Sequence, residues 1–331
     1  MASIKPFLNY LGTKLGGVLT LLSLRGKLRI LVGFLLLLGL GWGAAMFITS
    51  TVDDDPNFAV PSVTDSTSAT RTGSNAVAIA AALIDREVNQ HAWVANDPFF
   101  LPGYWLDNMP NYQQGIMYAL ARFGAMMSEQ IGRARGSSQV DPDLDTAAGL
   151  LRYPGDVWIF NPQTSLMPTS SSEAQYRAAR KALMNYNQRL IEGHAVFDPR
   201  SDNLIAVMDN ITGDLGSQSA IIENYLREGR LWLLEGHADD IFYSTKGRAY
   251  AYYLLLRELG KDYAQLIKER DLTNVWNNML RSFHEVVTLQ PYVIVSGAPD
   301  SQVLPSHLAA QGFYVLRART NLREISNILS R

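Results

Sequence analysis

The densest set of side chains able to hold a metal ion or a proton is Glu235, His237, Asp239 and Asp240, in the run EGHADD. Imidazole nitrogen with carboxylate oxygen suits zinc, manganese or iron. The spacing argues for something plainer. Glu235 and His237 are two positions apart, so a helix would not place them on one face, and no second histidine is near. The alternative is a solvated helix start with Asp239 or Asp240 as its cap. His284 and Glu285 are adjacent on a predicted helix but lack the H-E-x-x-H spacing that brings two histidines together. His91, His194 and His307 are isolated, and His307 lies near a helix start where it could help cap. There is no G-x-S-x-G elbow, no G-x-x-x-x-G-K-[ST] loop and no G-x-G-x-x-G turn. The chain has no cysteine, which excludes disulfides, thiolate nucleophiles, zinc-thiolate sites and iron–sulfur clusters. No cofactor is implied.

The remaining chemistry lies in the loop HAWVANDPFFLPGYWLDNMPNYQQG. Asp107 stands there among Phe99, Phe100, Tyr104, Trp105 and Tyr112. Aromatic surroundings can raise a carboxyl pKa and make an acid catalyst. Asp107 can equally cap the helix that follows, with Pro110 in its first turn. The aromatic residues themselves fit three roles: core packing, a docking surface or a platform for sugar rings.

These residues are carried by a chain organised around Ile30 to Val52, a run without an ionisable side chain. As a helix of about 34 Å, at about 1.5 Å per residue, it can cross a bilayer. Arg25, Lys27 and Arg29 precede it and Asp53, Asp54 and Asp55 follow it. That asymmetry predicts a cytoplasmic N-terminus and a main domain on the far side. A small-residue site near Ala44 and Ala45 leaves a cleaved signal peptide as the alternative. Gly39 and Gly43 form a G-x-x-x-G pair that lets a second membrane helix approach closely. Five of the 29 basic residues and none of the 31 acidic ones lie before Asp53, so the rest of the chain carries a net charge of −7. An acidic domain argues against nucleic acid as a partner.

Four segments follow. Residues 1–29 form a basic leader, read either as an amphipathic interfacial helix, weakened by Gly16 and Gly17, or as a loosely ordered stretch. Residues 30–52 are the transmembrane helix. Residues 53–72, rich in Asp, Ser, Thr and Pro, read as a linker. Residues 73–331 show helical periodicity almost throughout, which predicts an all-α bundle of about six or seven helices. Its helices are expected over 75–89, from 107 or 108 to 132, from a Ser170–Glu173 capping box onward, from 201, over 239–268, over 274–288 and over 306–329. Residues 133–169 read as an irregular connection anchored by Trp158, Ile159 and Phe160. The helices after Ser170 and from Ser201 are candidate antiparallel neighbours, and 290–305 is a loop with an extended piece at Tyr292 to Val295.

The block NDPFFLPGYWLDNMPNYQ, from Asn96 to Gln113, resembles the proteobacterial inner-membrane family known as domain of unknown function 2333. Trp158, Ser172 to Arg177, Arg200 to Leu204, Leu215 to Ser219, Asp240 to Tyr243 and Gly247 to Tyr250 carry the resemblance further, in order. Ser201 stands where the family has alanine, and Ser296 to Ser306 matches only loosely. The resemblance implies one membrane span, a cytoplasmic N-terminus and a periplasmic helical domain in the bacterial inner membrane. It implies no activity and no catalytic residue.

The expected function is a non-catalytic, membrane-anchored periplasmic scaffold, assembly factor or accessory subunit of an inner-membrane complex. Its partners are the bilayer and an inner-membrane or periplasmic protein, a second copy included. The alternative is a cell-envelope enzyme acting on peptidoglycan or lipid-linked glycan through Asp107 and Asp156. A third reading is a sensor binding a small ligand.

Overall fold

In the computed structural model, residues 24–60, 73–131, 140–160, 167–227, 236–291, 293–297 and 304–331 are described. Among them are ten α-helices and no strand beyond one bridge, between Ser296 and Ser306. The chain divides into two units, Met1–Ile48 and Thr49–Arg331. The first contains most of α1 (Leu24–Thr49), whose stretch Arg25–Thr49 is long and apolar enough to span a membrane or to serve as a signal sequence. The helix begins earlier than the apolar run, so Arg25, Lys27 and Arg29 lie inside its first turns. Gly39 and Gly43 have open space where a Cβ would stand. The expected leader, residues 1–23, lies outside the described residues.

The second unit holds α2 (Asn75–Asp85), α3 (Asn108–Met126), α4 (Pro142–Leu151), α5 (Ser172–Glu192), α6 (Ser201–Arg227), α7 (Gly236–Asp262), α8 (Ala264–Glu269), α9 (Thr273–Val287) and α10 (His307–Leu329). Helix α7 is the common neighbour of α2, α3 and α9. Its sequence explains this: Ala249, Tyr250, Ala251, Tyr252, Leu254, Leu255, Leu256 and Leu259 are all buried, so the helix is apolar on nearly every side. Two glycines set its closest crossing. A Cβ at Gly247 would overlap the Tyr112 carbonyl of α3, and a Cβ at Gly115 would overlap the Ser244 carbonyl of α7. Around this pair, α4 packs on α3 and α5, α5 packs on α2, and α10 joins α6 to α9. At the far end of α7, Asp262 caps a different helix. Its carboxylate accepts from Ser74 Oγ at 2.7 Å, Asn75 N at 2.8 Å and Ala76 N at 3.0 Å. The two backbone N–H groups are ones that the start of α2 cannot satisfy internally.

The structure corrects four expectations. Residues 142–151 are helix, because Asp141 caps the N–H groups of Asp143 and Leu144, and Pro142 suits the first helical turn. No capping box forms at Ser170 and Glu173. Ser171 takes the cap position without a side-chain bond, and Glu173 accepts from Asn96 instead. Helices α5 and α6 are not paired. The stripes that predicted a mutual interface face other helices, α5 against α4 and α2, and α6 against α10. The long helix predicted over 239–268 breaks at Tyr263, which divides α7 from α8.

A further correction concerns residues 53–72. Over Asp53–Val60 the chain is a strap laid on the bundle rather than a free linker; residues 61–72 are outside the described set. Tyr112 Oη donates to the Asp53 carbonyl at 2.9 Å and Tyr250 Oη to the Asp55 carbonyl at 2.9 Å. Arg257 donates to the carbonyls of Pro56 at 2.8 Å and Phe58 at 2.6 Å. Lys246 pairs with Asp54 at 2.5 Å, and Gln290 donates to the same carboxylate. Composition predicted exposure here because Asp and Pro cannot build a core of their own. The bundle supplies the missing partners.

Beneath the strap lies a buried ion pair. A π-turn, Arg86–Gln90, widens the end of α2 and buries both Arg86 and Glu87. The Arg86 guanidinium meets Glu87 Oε1 at 2.7 Å, donates to Tyr250 Oη at 2.6 Å, and stands 3.5 Å from Asp53. It also lies over the Phe58 and Tyr250 rings, at 4.8 and 4.9 Å. Burial alone would raise the Glu87 carboxyl pKa, but hydrogen bonding from His91 and the Arg86 charge hold it below its usual value. Removing one member strands the other charge in the core. Arg86→Met and Glu87→Met alone should each cost about 3–5 kcal/mol, whereas the double variant should cost less than the sum. Denaturant unfolding of the detergent-solubilised protein measures all three; additive losses would count against a coupled pair.

Candidate functional site

The loop after the π-turn is built outward from buried anchors. Trp93 and Val94 are core residues, and the Trp93 indole N–H donates to the Gly155 carbonyl at 2.9 Å. Gln113 accepts from Val94 N and donates to the Ala92 carbonyl at 3.0 Å. Asn96 donates to the Val157 carbonyl and to Glu173, both at 2.9 Å. These bonds tie the loop to residues 153–160 and to the start of α5. A short 3-10 turn, Pro102–Tyr104, then leads into α3.

What this frame presents to solvent is aromatic. Phe99 is 66% exposed, Trp105 59%, Tyr104 56%, Phe160 50% and Phe100 49%. The rings meet edge to face: Phe99 with Phe100, Phe100 with Trp158, and Trp158 with Phe160, at centroid distances of 5.4, 5.8 and 5.6 Å. Tyr104 packs on Trp105, whose indole N–H donates to the Phe99 carbonyl at 2.9 Å. Ile159 and Met167 are exposed in the adjoining segment. Two stretches that the sequence keeps about fifty residues apart therefore form one apolar face. Of the five aromatics singled out in the sequence, four stand on it. Tyr112 does not: it is fully buried and holds the strap. Trp158, Ile159 and Phe160 were expected to anchor an irregular connection, and they extend the face instead.

The two carboxylate readings meet unexpectedly. Asp107 occupies the cap position of α3 but makes no side-chain cap bond. It stands close enough to Asp239 and Asp240 at the start of α7 to act on both. Burial, then the charges of Asp107 and Asp240, push the Asp239 carboxyl up to about 6. Burial and Asp107 also raise Asp240, while Asn111 donates to it at 2.6 Å. His237 is exposed, 3.9 Å from Asp240, and Glu235 lies outside the described residues. Among the described residues no group of three His, Asp or Glu side chains is arranged to hold a metal ion. Asp156 has a separate neighbourhood, beside Tyr176. The His284 ring packs edge-on to Tyr253. His307 does not cap: Ser306 bonds Ala309 N, and His307 Nδ1 accepts from Val295 N at 2.9 Å.

One carboxyl escaped the sequence reading. Asp97, half-buried at the root of the aromatic face, is pushed up to about 6, chiefly by burial and then by the Glu173 charge, against a bond from the Gly103 N–H. Its signal in the sequence was its place between Asn96 and Pro98, directly before Phe99 and Phe100.

These features define an all-helical domain that follows a membrane-capable helix and exposes an aromatic face. The chain belongs to a family of uncharacterized proteins conserved in bacteria, DUF2333, whose model matches residues 16–233. The match ends short of the resembling blocks in α7. No curated protein and no solved structure matches the chain.

The carboxyl cluster gives a pH signature. Asp239 binds its proton more tightly in the folded state than in the unfolded chain, where the value is 3.8. Its contribution to stability is present below about 4 and is lost as pH rises through about 6. Asp239→Asn should therefore stabilise the protein above pH 6, with the gain vanishing near pH 4. Urea midpoints at pH 4.5 and 7.5 check this; an equal shift at both pH values would refute it.

Proposed function

We propose that this protein is a non-catalytic docking subunit of the bacterial inner membrane, with its helical domain in the periplasm. Helix α1 is the anchor. The basic residues in its first turns and the three aspartates after it favour a cytoplasmic N-terminus. The aromatic face of Phe99, Phe100, Trp105, Trp158 and Phe160 is the surface that binds another envelope protein, a scaffold's partner or a complex to which this chain is accessory.

The observation that carries this reading is the construction of the face. Large rings are costly to leave in water, and here they are held outward by a hydrogen-bonded frame rather than by a mobile loop. Fixed aromatic side chains lose little conformational freedom on binding, which is why they dominate interface energetics. The acidic balance of the domain supports a protein partner over nucleic acid.

A photo-crosslinking residue at Trp105 or Phe160, in cells, should give one discrete protein adduct. A crosslinker at Gln265, on short helix α8, should give none. Trp105→Ala should weaken capture about thirtyfold, as expected for a central aromatic anchor worth about 2 kcal/mol. Equal labelling at Gln265, or capture unaffected by Trp105→Ala, would rule the face out as the interface.

A further inference from the structure

A cleft of about 540 Å³ lies away from the aromatic face, against α3. Its floor is a stripe of that helix, Gln114, Tyr118, Ala121 and Ala125, continued by Glu129 in the π-turn Met127–Ile131, with Met117 and Met126 beneath. Leu151 and Arg152, at the end of α4, form one wall with the turn that follows, and Asn210 of α6 stands on the other side. That turn is fixed from behind. The Tyr153 carbonyl accepts from Tyr176 Oη at 2.8 Å, the Pro154 carbonyl from Ser172 Oγ at 2.7 Å, and the Gly155 carbonyl from the Trp93 indole at 2.9 Å. Its backbone acceptors are thus engaged on the inner side.

The charge in this cleft runs against the rest of the domain. Beyond residue 52 the chain carries −7, yet the cleft is lined by two arginines and one glutamate. Arg122 donates through Nε to Asn210 Oδ1 at 3.0 Å, which orients the guanidinium while leaving its two terminal nitrogens without a bond among the described residues. Arg152 is exposed, and its side chain makes no hydrogen bond or ion pair among the described residues. Other arginines of the domain are ion-paired, Arg86 with Glu87, Arg189 with Asp141 and Asp143, and Arg248 with Asp214. Arg248 also lies 3.5 Å from the centre of the Tyr118 ring, holding that wall in place. The volume is that of a small-molecule site, and its lining mixes apolar side chains (Met117, Ala121, Ala125, Leu151) with polar ones. A guanidinium fork with free N–H groups matches a carboxylate or phosphate.

We propose that this cleft binds a small organic anion, a phosphate or carboxylate head on a short apolar body, with Arg122 and Arg152 on the head and Met117, Ala121, Ala125 and Leu151 against the body. The head can come from a membrane lipid or from a soluble molecule.

The test uses the full chain in phosphatidylcholine nanodiscs and titrates hexyl phosphate by calorimetry, with hexyltrimethylammonium and inorganic phosphate as controls. Hexyl phosphate should bind, its cationic analogue should not, and inorganic phosphate should bind more weakly. Arg152→Gln, which removes no internal bond, and Arg122→Gln should each weaken hexyl phosphate about tenfold. Glu129→Gln should not weaken it. Loss of the titration in phosphatidylglycerol nanodiscs would assign the head to a lipid, and an unchanged titration to a soluble anion. No binding of hexyl phosphate, equal binding of the cation, or wild-type affinity in Arg152→Gln would overturn the proposal.

Discussion

The buried pair of Arg86 and Glu87 is the constraint on which much of the domain depends. A guanidinium and a carboxylate removed from water must be answered from every direction, and this chain recruits four elements to do it. The π-turn at the end of α2 supplies both charges, α7 supplies Tyr250, α3 supplies Gln113, and the strap supplies Asp53 and the Phe58 ring. None of these elements is adjacent in sequence to all the others. The pair therefore works less as a source of net stability than as a device that fixes which surfaces meet.

The same logic extends along the strap. Aspartates and a proline after a membrane-capable helix would normally signal a solvated tether. Here the backbone carbonyls of Asp53, Asp55, Pro56 and Phe58 are taken by tyrosines or an arginine of the bundle. The tyrosines in question come from α3 and α7, the helices brought closest by Gly115 and Gly247. Close crossing and strap binding are therefore parts of one arrangement: the glycines bring Tyr112 and Tyr250 to within 5.9 Å of each other, centroid to centroid.

Helical periodicity made the all-α class and most helix positions legible in the sequence. The stripes of α5, α6 and α10 are buried where the spacing placed them. Which stripes face each other was not legible, because an apolar face has no address: α5 and α6 share a period but not an interface. Helix α4 was hidden by its own start, since Asp141 and Pro142 read as turn residues until the cap they form is seen. At the candidate site, the aromatic loop was visible as a composition, but which of its rings face solvent was not; four of the five do. Tyr112 went astray because a helix turns it inward, three positions after Met109, into the core. The meeting of Asp107 with Asp239 and Asp240 depends on the pairing of α3 with α7, a contact across more than a hundred residues that no local pattern encodes.

The strap has a mechanical meaning. Its bonds at Asp53, Asp55, Pro56 and Phe58 are spread along the chain rather than gathered at one point. Tension applied to the chain ahead of Asp53 would enter the bundle through these bonds, and α3 and α7 would bear it first. Those helices are locked by reciprocal glycine contacts, so they would take the load as one body. A force arriving along the chain would thus be delivered to the two helices whose first turns carry Asn111 and Asp240, and not to the outer helices α5 or α10.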